Sequence, residues 1–384
     1  MNVLWYYVIG FILIWIIALL FRDQLKIDVK GPLLMRKTKR MRGFIDRIAN
    51  RSPRFWKWVT NIGLPVGVFF MAFMVFSLVS SLQTLFQAPQ VALILPGVDL
   101  PGQPIKIPLL EGIIALATVM IVHEFGHGII ARVEGVRIKS IGVLLLAILP
   151  GAFVEPDEEE VLKVSRLSRL RIYVAGSIFN LGLAALCLII LIGLSLLAAP
   201  AFEADGMEID RVVPKSPAEG FLKEGMIIQS INGNPTSRAD QYIEIINQIK
   251  IGDTVSFQTN QGIFNIKAGK SPNNASKAYI GIGLVNHLVL KKEVAKPLGD
   301  QLPYAIFPVM ELLRWIYVLN LLVGAFNLLP MKPLDGGLIF EELLRYKLSE
   351  SKVRAVANPI SLILVIIIIV SVVYGTGRGI MMLF

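Results

Sequence analysis

The chain is poor in the residues that decorate or staple a soluble domain. Its single cysteine, Cys187, lies inside an apolar stretch, which excludes an intrachain disulfide and leaves the redox compartment unspecified. Charged side chains make up only 17% of the 384 residues against 54% hydrophobic ones, and mean hydropathy is +0.65. So little charge cannot solvate the surface of an ordinary soluble protein of this length. Histidine is scarcer still, with three residues in all. There is no internal repeat, and no low-complexity tract beyond the run Ile366 to Ile369. What remains is a polytopic α-helical membrane protein. The net charge of +10 does not point to nucleic acid, because it is concentrated beside the membrane, where the positive-inside rule and anionic lipid account for it.

The apolar runs predict about six transmembrane helices. Val3 to Phe21 is an uncleaved first span, with neither a basic leader before it nor a small-residue cleavage site after it. Between Arg22 and Lys57, twelve Lys or Arg face three Asp, so this segment is expected in the cytoplasm with the N-terminus outside. Its Phe44, Ile45, Ile48, Phe55, Trp56 and Trp58 suit a basic amphipathic helix on the inner leaflet, and a solvated loop is the alternative. A second span, Ile62 to Phe86, returns the chain outside, where Ala88 to Pro108, with its prolines and the β-like run Val91 to Leu95, reads as an ordered loop. The third span is Leu109 to Val133. The apolar run Ile141 to Leu149 is too short to cross, and with Pro150-Gly151 it predicts a re-entrant β-hairpin over Ile138 to Val154; an interfacial loop is the alternative. The acidic Glu155 to Glu160 reads as a solvated turn without a metal role. Further spans are expected at Ile172 to Ala199, Tyr304 to Leu329 and Pro359 to Tyr374, with an amphipathic segment over Phe340 to Ala355. Six crossings place both termini outside.

Two of the three histidines stand in the third span, in His123-Glu124-Phe125-Gly126-His127. Histidines four apart share one helical face, with the acid a turn away, as a zinc pair and its base require. Ionisable groups in lipid cost about 2.5–3.5 kcal/mol each on insertion scales, so they persist mainly where they line a site. His123 lies fourteen residues past Leu109, ~21 Å into a core of about 30 Å, nearer the cytoplasmic face. A catalytic zinc needs three protein ligands and one open position. Asp335 is the strongest third ligand, being an acid at a helix break made by Pro330 and Pro333 in the same leaflet; capping of the following helix is its alternative role. Such a zinc lowers the pKa of a water ligand toward about 7, and Glu124 can carry its proton to a leaving amine, which is peptide hydrolysis. Asn180, about 12 Å into the fourth span on the small-residue face of Gly176 and Ala184, either contacts substrate or bonds between helices. His287, outside, is read as surface.

From Ala204 to Asn286 the chain turns polar and glycine-punctuated, with strands Met207 to Val213 and Ile227 to Ile231, a turn at Asn232-Gly233, a helix over Ala239 to Lys250 and paired strands about Gln261-Gly262. The stretch VVPKSPAEGFLKEGMIIQSINGNP, with the later IKIGDTVSF, resembles a PDZ domain, although Gly225-Met226 stands where this branch usually has Gly-Asp. PDZ domains take chain ends as an added strand. Two roles suit it, binding peptide termini and shielding the membrane opening. The organisation is therefore 1–108, two spans with a basic cytoplasmic loop and an external loop; 109–203, the first part of a membrane core; 204–286, the extracytoplasmic PDZ domain; and 287–384, the second part of the core.

HEFGH in a span, GAFVEPDEE after the short apolar run, AGSIFN in the next span, the inserted PDZ domain and NLLPMKPLDGG in the fifth span occur in one order. From Leu109 to Gly337 this order resembles the site-2 protease family of intramembrane zinc metalloproteases. The resemblance implies one zinc held by His123, His127 and Asp335, Glu124 as catalytic acid and base, and Asn180 and Asn327 near the substrate backbone or oxyanion. It implies transmembrane protein substrates cut within the cell membrane to release a cytoplasmic regulator. The chain departs from the family in the two spans and long basic segment that precede the core. Two rivals are a non-catalytic scaffold using zinc structurally, which has no need of Glu124, and a metal transporter, which would need a second ligand cluster along a path.

Overall fold

The computed structural model describes residues 3–39, 41–83, 96–98, 107–146, 149–236, 238–271, 276–291, 293–294 and 302–381. Most of the expected external loop, including Val91 to Leu95, and the hairpin tip at 147–148 lie outside these residues. The chain divides into two units, Met1–Leu191 with Met310–Phe384, and Ile192–Val309.

The first unit is built of helices around a small sheet. Helix α1 (Val3–Leu20) and the short α2 (Arg22–Leu25) lead into strands β1 (Ile27–Lys30) and β2 (Leu33–Thr38). The basic segment is thus not a solvated loop: it is this hairpin followed by helix Arg42–Arg51, which carries Phe44, Ile45 and Ile48 of the expected amphipathic helix, while Phe55, Trp56 and Trp58 fall in the next helix. Alternation places Ile27, Val29 and Leu34 against Ala18, Trp15 and Leu145, so the hairpin has an apolar face that the lysines and arginines conceal in sequence. Helix α3 (Arg42–Arg51) follows, burying Ile45 and Ala49, four residues apart on one face.

Helix α4 (Pro53–Ser81) starts with proline in its first turn, nine residues before the expected start of the span, and exposes Phe69, Phe73 and Phe76 as a lipid-facing helix would. Helix α5 (Leu109–Val133) has the expected bounds. The short apolar run forms a hairpin of β3 (Ile138–Leu146) and β4 (Leu149–Pro156), and β2 pairs antiparallel with β3, giving one sheet in the order β1-β2-β3-β4. After α6 (Glu158–Lys163), capped by Asp157, comes α7 (Arg166–Ala198). Later helices are α9 (Ile306–Phe326), α10 (Asp335–Leu344) and α11 (Glu350–Met381); the stretch expected as one amphipathic segment is divided between α10 and α11. Among the described residues five helices are long and apolar enough to cross a membrane, namely α4, α5, α7, α9 and α11, and α1 is a shorter apolar helix. The core that positions α5 combines Ile45 and Ala49 of α3, Ile129 to Ala131 of α5, Val154 of β4 and Ala175 of α7.

The second unit has a sheet in the order β12-β5-β6-β8-β9, from β5 (Phe202–Val212), β6 (Ile227–Ile231), β8 (Thr254–Thr259), β9 (Gly262–Lys267) and β12 (Ile282–Leu290), with β7 (Asn234–Pro235) beside β6, helix α8 (Ala239–Gln248), and a separate pair of β10 (Gly269–Lys270) and β11 (Ala278–Tyr279). Positive φ at Asn232 (50°) and Gly233 (82°) makes the β6–β7 turn the type that this dipeptide favours. Met207, Ile209, Ile228, Val255 and Phe257 fill its core. Strand β12 runs on to Leu290, past the expected limit at Asn286. His287 lies in β12, its Nδ1 2.5 Å from Asp205 Oδ1.

Candidate metal centre

His123 and His127 project from α5 one turn apart, as helical geometry dictates for residues i and i+4. Asp335 reaches them from the start of α10. The chain there leaves α9, turns through Leu328 to Leu334 with a cis Lys332–Pro333 peptide, and re-enters a helix at Asp335. Gly336 N–H donates to Asn327 O at 2.8 Å, folding the turn back on itself, and Leu328 and Leu329 are buried beneath it. Asp335 is not the helix cap: Leu334 holds that position, without a side-chain bond. The carboxylate faces the histidines instead.

Asp335 Oδ2 lies 3.2 Å from both His123 Nε2 and His127 Nε2, and the two nitrogens are 3.3 Å apart. Tetrahedral zinc with bonds of about 2.0–2.1 Å puts its ligand atoms ~3.3 Å from one another, so the three donors already describe one face of such a site. They form the one group of at least three His, Cys, Asp or Glu with metal-holding geometry among the described residues. All three are largely buried, with side-chain exposures of 12%, 14% and 16%. Room for an ion comes from Gly176 on α7: a Cβ there would stand 2.6 Å from His123 Nε2 and closer still to His127 Nε2. The donor set, its spacing and this cradle fit zinc, which would take its fourth ligand from solvent.

The surrounding contacts orient the ligands. His127 Nδ1 lies 2.8 Å from Ile172 O, so the proton sits on Nδ1 and leaves Nε2 as the metal donor. His123 Nδ1 lies 3.3 Å from the side-chain amide of Asn180, which is fully buried. The same tautomer of His123 carries a proton on Nδ1, and turning the amide so that Oδ1 meets it also satisfies an oxygen that otherwise lacks a partner. Glu124 is held differently: Val154 N–H donates to its Oε2 at 2.9 Å, tying the acid to strand β4.

The structure therefore gathers His123, His127 and Asp335 into one cluster, sets Glu124 beside it and places Asn180 behind His123. Asn327 contributes its backbone carbonyl to the turn below Asp335. His287 belongs to the second unit. Sequence reasoning missed Asn320, fully buried, whose amide donates to Ile316 O at 2.8 Å and Thr118 Oγ1 at 3.2 Å and so joins α9 to α5. An amide inside an apolar span was the available signal. It also missed the anchoring of α10, where Glu342, 2% exposed, meets Arg169 of α7 at 2.8 Å and Glu341 meets Lys332 at 2.6 Å.

A model of peptidase family M50 matches residues 111–368. Over 342 residues the chain is 29% identical to an uncharacterized protein of Methanocaldococcus jannaschii, covering 87% of this chain and 85% of that one. It is 31% identical over 125 residues to the membrane-bound transcription factor site-2 protease homolog of Arabidopsis thaliana, covering 32% of this chain and 24% of that one. A Clostridium perfringens protein named as a candidate zinc metalloprotease is 26% identical over 304 residues, 62% of this chain and 88% of that one.

Proposed function

The chain belongs to peptidase family M50, the site-2 protease family, and from that membership as a metalloendopeptidase we propose that it uses one zinc to cut membrane-spanning segments of other proteins. The observation that carries this reading is the triangle of donor atoms, 3.2 to 3.3 Å on each side, with Glu124 adjoining it in sequence. His123, His127 and Asp335 would hold the ion, which supplies Lewis acidity toward a carbonyl and acidifies a water. Glu124 takes the proton from the attacking water and hands it to the departing amine. Its carboxylate is kept in place by the Val154 N–H. Asn180 acts through His123, as a positioning residue, and Asn327 contacts the unwound substrate backbone.

A transmembrane helix hides its carbonyls in hydrogen bonds, so it must open before it can react. Strand addition is the natural way to hold the opened part. The sheet order leaves one edge for it on the hairpin side. Strand β3 of the hairpin is occupied on its far side by β2, which leaves the outer side of β4. Val154 turns its N–H to that side, toward Glu124, and Ala152, two residues earlier, presents its backbone in the same direction. A substrate strand laid along β4 therefore runs past the proton-transfer group. The excess of Lys and Arg over 22–57 favours the cytoplasm for that segment and, with α1 crossing as well as the five long helices, the outside for the termini and for 204–286, whose strands and helix suit a PDZ domain.

The test is a reconstituted, metal-loaded protein with a single-span substrate. Wild type should carry about one zinc and release a shortened product. Glu124→Gln should keep its zinc and lose cleavage by at least about a hundredfold. Equal turnover by the two proteins would sink the assignment and favour a scaffold.

A further inference from the structure

The basic segment has no part in the ligand set, yet its strand β2 and Met41 border the place where a substrate would lie. A cavity of about 340 Å³ opens at Glu124. Its walls include Ile121 and Phe125 of α5, Val143 of β3 and Ala152 of β4. The remaining wall comes from outside the metal-binding core: Arg36 and Thr38 of β2, and Met41 just before α3. A volume of this size is at the lower end of ligand sites, roughly 300–1,000 Å³, and the lining is mainly carbon.

The N-terminal wall is fixed to the core at two independent places. Strand β2 pairs with β3 over six residues, from Leu33↔Leu146 to Thr38↔Ile141. Gly142 permits this approach, because a Cβ there would strike Arg36 O and stand 2.6 Å from the Phe153 ring. Helix α3 is tied to α5, through Asp46 to Arg132 and Phe44 edge-on to Phe125 at 6.0 Å, and to the start of β3, through Arg42 donating to Ile138 O at 3.1 Å. Met41 stands between these two attachments and so belongs to a preformed wall.

We propose that the N-terminal segment supplies the specificity wall of a side-chain subsite, and that this subsite takes a bulky apolar residue of the substrate, of the leucine, methionine or phenylalanine class, next to the scissile bond. This rests on the proteolytic reading above. Ala152 and Val154 line the cavity and also belong to the proposed docking strand. Because side chains of an added strand alternate, one of each pair would enter the cavity while its neighbour faces away. Contact of the cavity with Glu124 places the entering side chain beside the bond that is cut. An apolar pocket separates side chains by size, at about tenfold or more per methylene where the fit is close.

The experiment uses the full-length, zinc-loaded protein in liposomes with a series of single-span substrates carrying Ala, Leu, Phe or Trp at each position flanking the cleavage point. Wild type should cut the Leu or Phe member at least about tenfold faster than the Ala member at one position. Met41→Trp fills the cavity and should reverse that ranking. Met41→Ala should extend it to the Trp member. Zinc content and thermal unfolding of both variants should match wild type, since Met41 is 41% exposed and remote from the ligands in sequence. Rates that change in one proportion for all substrates, or a wild type indifferent to side-chain size, would overturn the subsite while leaving the protease intact. Cleavage that is the same in Glu124→Gln as in wild type would instead overturn the proteolytic reading and the subsite with it.

Discussion

Gly176→Ala adds one methyl group, and it adds it at the centre of the metal site. The new Cβ would stand 2.6 Å from His123 Nε2 and closer to His127 Nε2, whereas carbon is comfortable at about 3.5 Å or more. Relief therefore requires each imidazole to retreat by about 1 Å. Metal sites tolerate ligand displacements of only about 0.2 Å, so two of the three donors would leave coordination range together. Loss of a supporting partner behind a ligand costs about 10–100-fold in metal affinity, and loss of two ligands must exceed that. The helix itself works in the opposite direction, since alanine is favoured over glycine in a helix interior by about 0.8–1 kcal/mol. The expected protein is folded, its helical content unchanged, and nearly free of zinc. Elemental analysis after dialysis against a graded chelator series, with circular dichroism on the same samples, reads both quantities. Gly182→Ala is the control on the same helix, because a Cβ there meets nothing within 4 Å. A Gly176→Ala protein that keeps one zinc with wild-type affinity would refute the proposed position of the ion.

Two further outcomes follow from the anchoring of the site. Arg169→Met should destabilise the protein by about 3 kcal/mol in thermal unfolding and weaken zinc binding, because it leaves the buried Glu342 with only Arg345 at 3.3 Å and loosens the helix that begins with Asp335; an unchanged unfolding temperature and zinc affinity would show the pair to be idle. At the base of the hairpin, the hydroxyl of Ser140, followed by Lys37, holds the Glu155 carboxyl below its ordinary pKa against the opposing effect of burial. Its contribution is present above the unfolded value of about 4.3 and is lost as pH falls through the folded value, so acid should loosen the β2–β3–β4 sheet, and Glu155→Gln should flatten that limb of the stability curve measured by hydrogen exchange.

The parts that were legible in the sequence are those whose signal is local. Helix α5 declares itself by its apolar length and its histidines by their spacing, and the turn at Asn232-Gly233 by a dipeptide with one favoured geometry. Asp335 was harder: it lies more than two hundred residues from His127, and only the helix break before it hinted that its carboxylate would be turned inward. The segment 22–57 shows the limit. Its positive charge is what the membrane surface demands, and that demand masks the alternation of Ile27, Val29 and Leu34. Its partner, β3, is more than a hundred residues away, and strand pairing over that distance has no local mark. For the same reason Asn180 could be placed at the depth of the histidines but not against His123 Nδ1.

The two kinds of signal divide the site by element. The spacing of the histidine pair depends on one helix, α5, and the orientation of its two rings on Ile172 O, Asn180 and the room left by Gly176, all on α7. The third donor depends on a turn held by Gly336 to Asn327 O, on the ion pair between Arg169 and Glu342, and on the fit of Leu328 and Leu329 beneath it. Glu124 depends on yet another element, because its carboxylate is tied to Val154 of β4. A substrate strand added to β4 would compete for that same N–H or draw the carboxylate with it. On the proposed docking, the element that receives the substrate is the one that holds Glu124, so docking would act on Glu124 through Val154 of β4 and not through the three donors. Since β4 is joined through β3 to β2, the same proposal makes the N-terminal segment bear on the position of Glu124 as well as on the shape of the cavity.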